Sequence, residues 1–100
     1  MSTFSAIADP VRRDLLALLL TGEQTAGALV EALSLPQPNV SKHLKVLKTA
    51  GLVRVRIDGP KRLYSLDSKP LAELDAWLAT YRAFWASKLD ALGDHLSRSD

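Results

Sequence analysis

Apolar residues recur along this chain with two periods, and each period breaks where glycine or proline intervenes. The first strong helical signal opens at Ala8-Asp9-Pro10-Val11, with Asp9 suited to cap and Pro10 to the first helical position. Val11, Leu15, Leu18 and Leu19 follow at helical spacing until Thr21-Gly22 ends the run. Thr25 is the next candidate cap, before a short helix whose buried stripe is Leu29, Val30 and Leu33. Ser34-Leu35-Pro36 breaks the chain, because a residue before proline is pushed out of the α region.

A third helix is predicted from about Gln37 to Ala50, stopped by Gly51 at the position glycine favours after a helix. Val40, Leu44 and Leu47 fall within about 60° of one another on its helical wheel. Pro38, Lys42, Lys45 and Thr49 project from the opposite side. Ser41 and Lys48 lie on one flank, Asn39 and His43 on the other. The helix therefore has a narrow apolar back and a polar, basic front.

The period then changes to two. Val53, Val55 and Ile57 alternate with Arg54, Arg56 and Asp58, which predicts a half-buried strand. Asp58-Gly59-Pro60-Lys61 supplies a turn, and Arg62 to Leu66 returns as the second strand of a hairpin. Leu63, Tyr64 and Leu66 put apolar groups on both faces, so the register of that strand stays open. From about residue 70 to 97 the chain reads as one helix, capped by Asp67 or Ser68, with Pro70 in its first turn. Leu71, Leu74, Leu78, Tyr81, Trp85, Leu89, Leu92 and Leu96 form its stripe. At ~1.5 Å per residue such a helix runs roughly 40 Å, longer than a small domain is wide. It requires a partner, most simply a symmetry mate.

At 100 residues, with 47% hydrophobic and 24% charged residues, the chain predicts a single globular domain, 1–100, with little room for a deep substrate cavity. The absence of cysteine excludes disulfides, thiolate metal sites and a cysteine nucleophile. The run Leu15 to Leu20 follows Arg12, Arg13 and Asp14 and is too short for a signal or a membrane span, so the expected location is cytoplasmic. The net charge of +2 hides an asymmetry. Between Gln37 and Leu66 seven basic residues meet one acid, Asp58, for a local balance of +6, leaving −4 for the rest. Such segregation points to an anionic partner.

Two helices joined by a tight turn, the second with a basic front, followed by a basic hairpin, describe a winged helix-turn-helix. A helix fits the major groove, and a hairpin beside it reaches the backbone or the minor groove. The chain resembles the ArsR/SmtB-type bacterial transcriptional repressors in Ala6-Ile7-Ala8-Asp9-Pro10-Val11-Arg12-Arg13 and in Leu35-Pro36-Gln37-Pro38-Asn39-Val40-Ser41-Lys42-His43-Leu44-Lys45-Val46-Leu47. Ala50-Gly51-Leu52-Val53 and Lys61-Arg62-Leu63-Tyr64-Ser65-Leu66 continue the similarity, which runs from about residue 4 to 96 without insertion. The resemblance implies a mainly α fold with a two-stranded β wing: four helices, the wing and a fifth, terminal helix. It also implies repression and a homodimer built on the first and last helices.

The segment Pro70 to Leu78 looks like a branch of the family without metal sites. Where metal-sensing members carry a Cys-x-Cys-type motif, this chain has Gln24-Thr25-Ala26-Gly27-Ala28. On the terminal helix Asp90 and Asp94 share a face, but His95 points about 100° away. No metal, cofactor or catalytic group is therefore expected. His43 has no acid or serine at a spacing that suggests catalysis.

The expected DNA contacts are Gln37, Pro38, Asn39, Ser41, Lys42, His43 and Lys45 on the second helix of the motif, with Arg56, Lys61 and Arg62 on the wing. Gln37 and Ser41 have an alternative role as caps of that helix. Arg12 and Arg13 either pair with Asp9 or Asp14 or touch phosphate. The expected dimer interface is Phe4, Ile7, Leu74, Leu78, Tyr81, Trp85, Leu89 and Leu92. Trp77, Tyr81, Phe84 and Trp85 form an aromatic cluster that serves packing or, alternatively, an effector site. The partner is then double-stranded operator DNA with an inverted repeat. Two rivals remain: a metal- or ligand-gated sensor of the same fold, and a protein-interaction module using the terminal helix. The second leaves the concentration of basic residues without a purpose.

Overall fold

Local capping sets the helix boundaries. The computed structural model describes residues 2–98, with side chains as far as Gly93. Leu96, and with it Asp94 and His95, lies outside the described side chains. Ser2 caps α1 (Thr3–Ile7) by accepting the Ser5 N–H at 3.1 Å. Asp9 caps α2 (Pro10–Leu19), its Oδ1 accepting the N–H groups of Val11 at 2.8 Å and Arg12 at 3.2 Å. Partial burial opposes ionisation of Asp9. Those two N–H bonds and the nearby positive charge of Arg12 outweigh it and hold the carboxyl below the ordinary Asp value.

Thr25 ends β1 (Gln24–Thr25) and caps α3 (Ala26–Leu33) through the Ala28 N–H at 3.1 Å. The recognition-type helix α4 (Gln37–Thr49) starts after Pro36 with no side-chain cap. The capping alternative for Gln37 and Ser41 therefore fails: Gln37 is the first helical residue and Ser41 lies a turn inside. Gly51, at φ +79°, ends the helix in the left-handed region that a Cβ disfavours.

The wing consists of β2 (Val53–Asp58) and β3 (Lys61–Leu66), but the sheet has three strands rather than the two expected, in the order β1-β3-β2. Gln24 pairs with Tyr64 and Thr25 with Leu63, which anchors the wing to the start of α3. The register of β3 is now fixed. Val53 faces Leu66, Val55 faces Tyr64 and Ile57 faces Arg62. Directly opposed residues share a face, so Arg54, Ser65, Arg56 and Leu63 occupy the other one. Ile57, expected to be half-buried, is 71% exposed because it stands near the hairpin tip, beyond the core.

Ala6, Leu15, Leu19, Leu29, Val40, Leu44, Leu47, Leu52 and Val53 form the core, and every buried residue described is apolar. Burying each large side chain contributes ~1.5–3 kcal/mol, so α4 is clamped along its back by Val40, Leu44 and Leu47. The terminal helix α5 (Ser68–Arg98) has 31 residues, about 46 Å at the standard rise. Its first turn is capped by Asp67, which accepts the Lys69 N–H at 3.1 Å and receives Arg54 Nε at the same distance. Both contacts hold the Asp67 carboxyl below its usual value.

Among the described residues α5 meets the core at its start, through Leu71. From Trp77 to Leu92 its large apolar side chains are exposed, Trp85 by 60% and Leu89 by 62%. Phe4 of α1 meets Trp77 edge to face at 5.1 Å, and Trp77 meets Tyr81 at 4.7 Å. Ile7 is partly buried and packs against the core. The molecule measures 61 × 27 × 21 Å, with α5 projecting from the helical body.

Candidate nucleic-acid interface

With its apolar back buried, α4 turns Gln37, Pro38, Asn39, Ser41, Lys42, Lys45 and Lys48 to solvent. The wing stands beside it. Ser41, Leu44, Lys45 and Lys48 of α4 and Val55, Arg62 and Tyr64 of the wing line one groove of about 330 Å³. Three cations thus meet across the junction of helix and hairpin, a shape suited to phosphate oxygens. Lys61 and Arg62 also line a shallower cleft of about 320 Å³ with Thr25, Ala26, Gly27 and Pro60.

The other basic residues have local partners. Arg56 occupies the face of the wing opposite Tyr64 and Arg62, where it grips Glu23 at 2.7 and 3.2 Å. Its donated hydrogen bonds hold the Glu23 carboxyl below the usual range. Arg54 is paired with Asp67. Among the described residues Lys42, Lys45, Lys48, Lys61 and Arg62 make no ion pair.

His43 points elsewhere. It is half-buried, and its Nδ1 lies 3.4 Å from a terminal nitrogen of Arg12. Arg12 and Arg13 pair with neither Asp9 nor Asp14. Arg12 donates to the carbonyls of Ala6 at 2.6 Å and Ser5 at 3.2 Å, and Arg13 to those of Ile7 and Ala8. Cations there satisfy the carbonyls that the end of α1 leaves open.

The expected contacts are therefore gathered unequally. Ser41, Lys45 and Arg62 share the groove, Gln37, Pro38, Asn39 and Lys42 are exposed elsewhere on α4, Lys61 sits at the tip, and His43 and Arg56 are drawn away. Lys48 and Tyr64 were absent from the expected contacts. The signal for Lys48 was its place on the same flank as Ser41, two turns along the helix.

The helix-turn-helix domain family matches residues 7–56, half of the chain. The transcriptional repressor SdpR of Bacillus subtilis is 35% identical over 80 residues, which cover 80% of this chain and 89% of that protein. The chain belongs to the ArsR/SmtB family. A probable mercury resistance operon repressor of Streptomyces lividans is 44% identical over 71 residues, but the match spans 71% of this chain and only 57% of that protein. A crystal structure of an ArsR-family transcriptional regulator superposes with a TM-score of 0.74 at 31% identity, covering 83% of this chain and 91% of its own. As an ArsR/SmtB-family member the chain is a DNA-binding transcription regulator, from a family of regulators rather than enzymes. Among the described residues no helix is long and apolar enough to cross a membrane, and no three His, Asp or Glu side chains cluster to hold a metal ion.

Proposed function

We propose that this chain acts in the cytoplasm as a homodimeric, sequence-specific repressor that recognises an inverted-repeat operator and senses no metal. The observation that carries the reading is the groove where Lys45, Lys48 and Arg62 converge beside the exposed front of α4. Gln37, Asn39 and Ser41 lie toward the N-terminal end of that front, which docked helix-turn-helix proteins use to read base edges. Lys42, Lys45, Lys48 and Arg62 anchor phosphate on either side, and Lys61 extends the contact at the wing tip. Base edges supply specificity, and the cations supply affinity without sequence preference. Lack of cysteine removes thiolate ligation, which leaves the metal-sensor alternative without its strongest donor.

Dimerisation through α5, with Phe4 of α1 alongside, is supported by the stripe Leu78, Tyr81, Trp85, Leu89 and Leu92. One protomer offers a single reading helix. A two-fold dimer sets two such helices about 34–36 Å apart, which is why the operator is expected to be an inverted repeat.

Leu89→Asp tests the reading. The wild-type leucine would contribute ~1.5–3 kcal/mol on burial, and a symmetric interface counts each change twice. Sedimentation should show monomers, and a DNA titration of the same sample should show operator affinity falling to that of random duplex. A monomer that keeps its operator affinity, or a dimer untouched by the aspartate, refutes it.

A further inference from the structure

We propose that Arg12 is a positioning residue that carries the placement of α1 to the DNA-reading helix α4 through His43. The proposal rests on the reading of α4 given above. Its basis is the set of contacts made by one guanidinium. Nε of Arg12 donates to the Ala6 carbonyl at 2.6 Å, one terminal nitrogen donates to the Ser5 carbonyl at 3.2 Å, and the other lies 3.4 Å from Nδ1 of His43. The planar fork of arginine spans two elements in fixed geometry, which a lysine ammonium on its flexible stem does not. Ala6 is fully buried, so the carbonyls that Arg12 holds belong to an anchored turn.

The other ends of the connection give it a purpose. Phe4, two residues from Ala6, packs on Trp77 of α5, so whatever covers that aromatic pair also bears on α1. His43 sits on α4 one residue from Lys42 and two from Ser41, on the flank away from the wing groove. A hydrogen bond from the Arg12 guanidinium requires Nδ1 of His43 to be the acceptor, which is the neutral tautomer with its proton on Nε2. The Asp9 carboxylate, which accepts the Arg12 N–H, completes this neighbourhood and offsets the cation. A shift of α1 that withdraws Arg12 thus frees His43 and changes the seating of α4, without removing any phosphate-binding lysine.

The test uses the whole chain and a duplex enriched from random DNA by the unmodified protein. Arg12→Lys keeps the charge and donors for the α1 carbonyls but loses the fork. It should reduce operator preference over random duplex about threefold to twentyfold, the usual size of coupling carried through intermediate side chains. Salt dependence and the sedimentation of the dimer should stay as in the wild type. In a His43→Ala background the same substitution should change the preference by less than about twofold, because a path through His43 is already cut. Nitrogen NMR of the His43 ring gives a second readout without DNA. The wild type should show an unprotonated Nδ1, and Arg12→Lys should shift the tautomer population.

Unchanged preference in Arg12→Lys overturns the proposal, even if the tautomer shifts. An equal loss with and without His43 also overturns it, since Arg12 would then act by another route. A shallower salt slope would make Arg12 a phosphate contact instead. A wild-type chain that prefers no DNA sequence would defeat the underlying reading, with the tautomer measurement still reporting separately on the Arg12–His43 contact.

Discussion

Replacing Arg62 and Arg56 in turn separates the two faces of the wing. Arg62 faces the α4 groove with Lys45 and Lys48, whereas Arg56 lies on the reverse face, held by Glu23. The five cations of α4 and the wing that make no ion pair among the described residues, Lys42, Lys45, Lys48, Lys61 and Arg62, bound a dimer at about ten phosphate contacts and a log–log salt slope near −9. Arg62→Ala removes one contact per protomer, so the slope should become shallower by about 1.8. Between ~50 and ~200 mM salt, the deficit of the variant relative to wild type should then shrink roughly tenfold. Arg56→Ala should leave the slope within error of wild type. Fluorescence anisotropy on a labelled duplex across a salt series reads both values, and any duplex serves because this contribution is independent of sequence. Equal shallowing in both variants, or none in Arg62→Ala, would refute the assignment of faces.

Three further outcomes are expected. Gln37→Ala or Ser41→Ala should lower discrimination between operator and random DNA by ~1–3 kcal/mol per lost base contact, with the salt slope unchanged. Competition titrations check this, and a uniform loss on all DNA would place these residues on phosphate. The carboxyls of Asp9 and Asp67 titrate below the ordinary 3.8 in the folded chain, so their stabilisation is complete above that value and is lost as pH falls through the lower folded values. Thermal melts down to about pH 2 should therefore show a steeper acid decline in wild type than in Asp9→Asn, and parallel curves would count against the cap. Zinc added or removed with chelator should change operator affinity by less than about tenfold, as a binding titration would show.

The legible parts of this fold are those where one local pattern decides. Asp9, Thr25 and Gly51 mark helix ends by chemistry confined to a few residues. Val40, Leu44 and Leu47 mark the buried back of α4 by period alone, which also exposes its basic front. The two residues of β1 show no period at all. They become a strand because β3 offers them a free edge. Ile57 illustrates another gap, since alternation assigns a face but not how far the core reaches beneath it. The partners of charges were hardest to see. Arg56 meets Glu23 across 33 positions and Arg12 meets His43 across 31, and composition carries no trace of either encounter.

Those distant partners alter the meaning of the charge asymmetry. Seven basic residues crowd the segment from Gln37 to Leu66, yet the fold does not present them all alike. Glu23 and Asp67, both outside that segment, neutralise Arg56 and Arg54 on the reverse face of the hairpin. An exposed pair of this kind contributes little stability, so its greater effect is on where free positive charge remains. Of what remains, Lys45, Lys48 and Arg62 converge where α4 and β3 meet, a place from which a rigid helix and the wing can approach neighbouring stretches of DNA together. Acids elsewhere in the chain therefore act on the DNA-facing surface by subtraction. They reduce positive charge on the reverse face of the wing, and an uneven field orients an incoming duplex before any base is read.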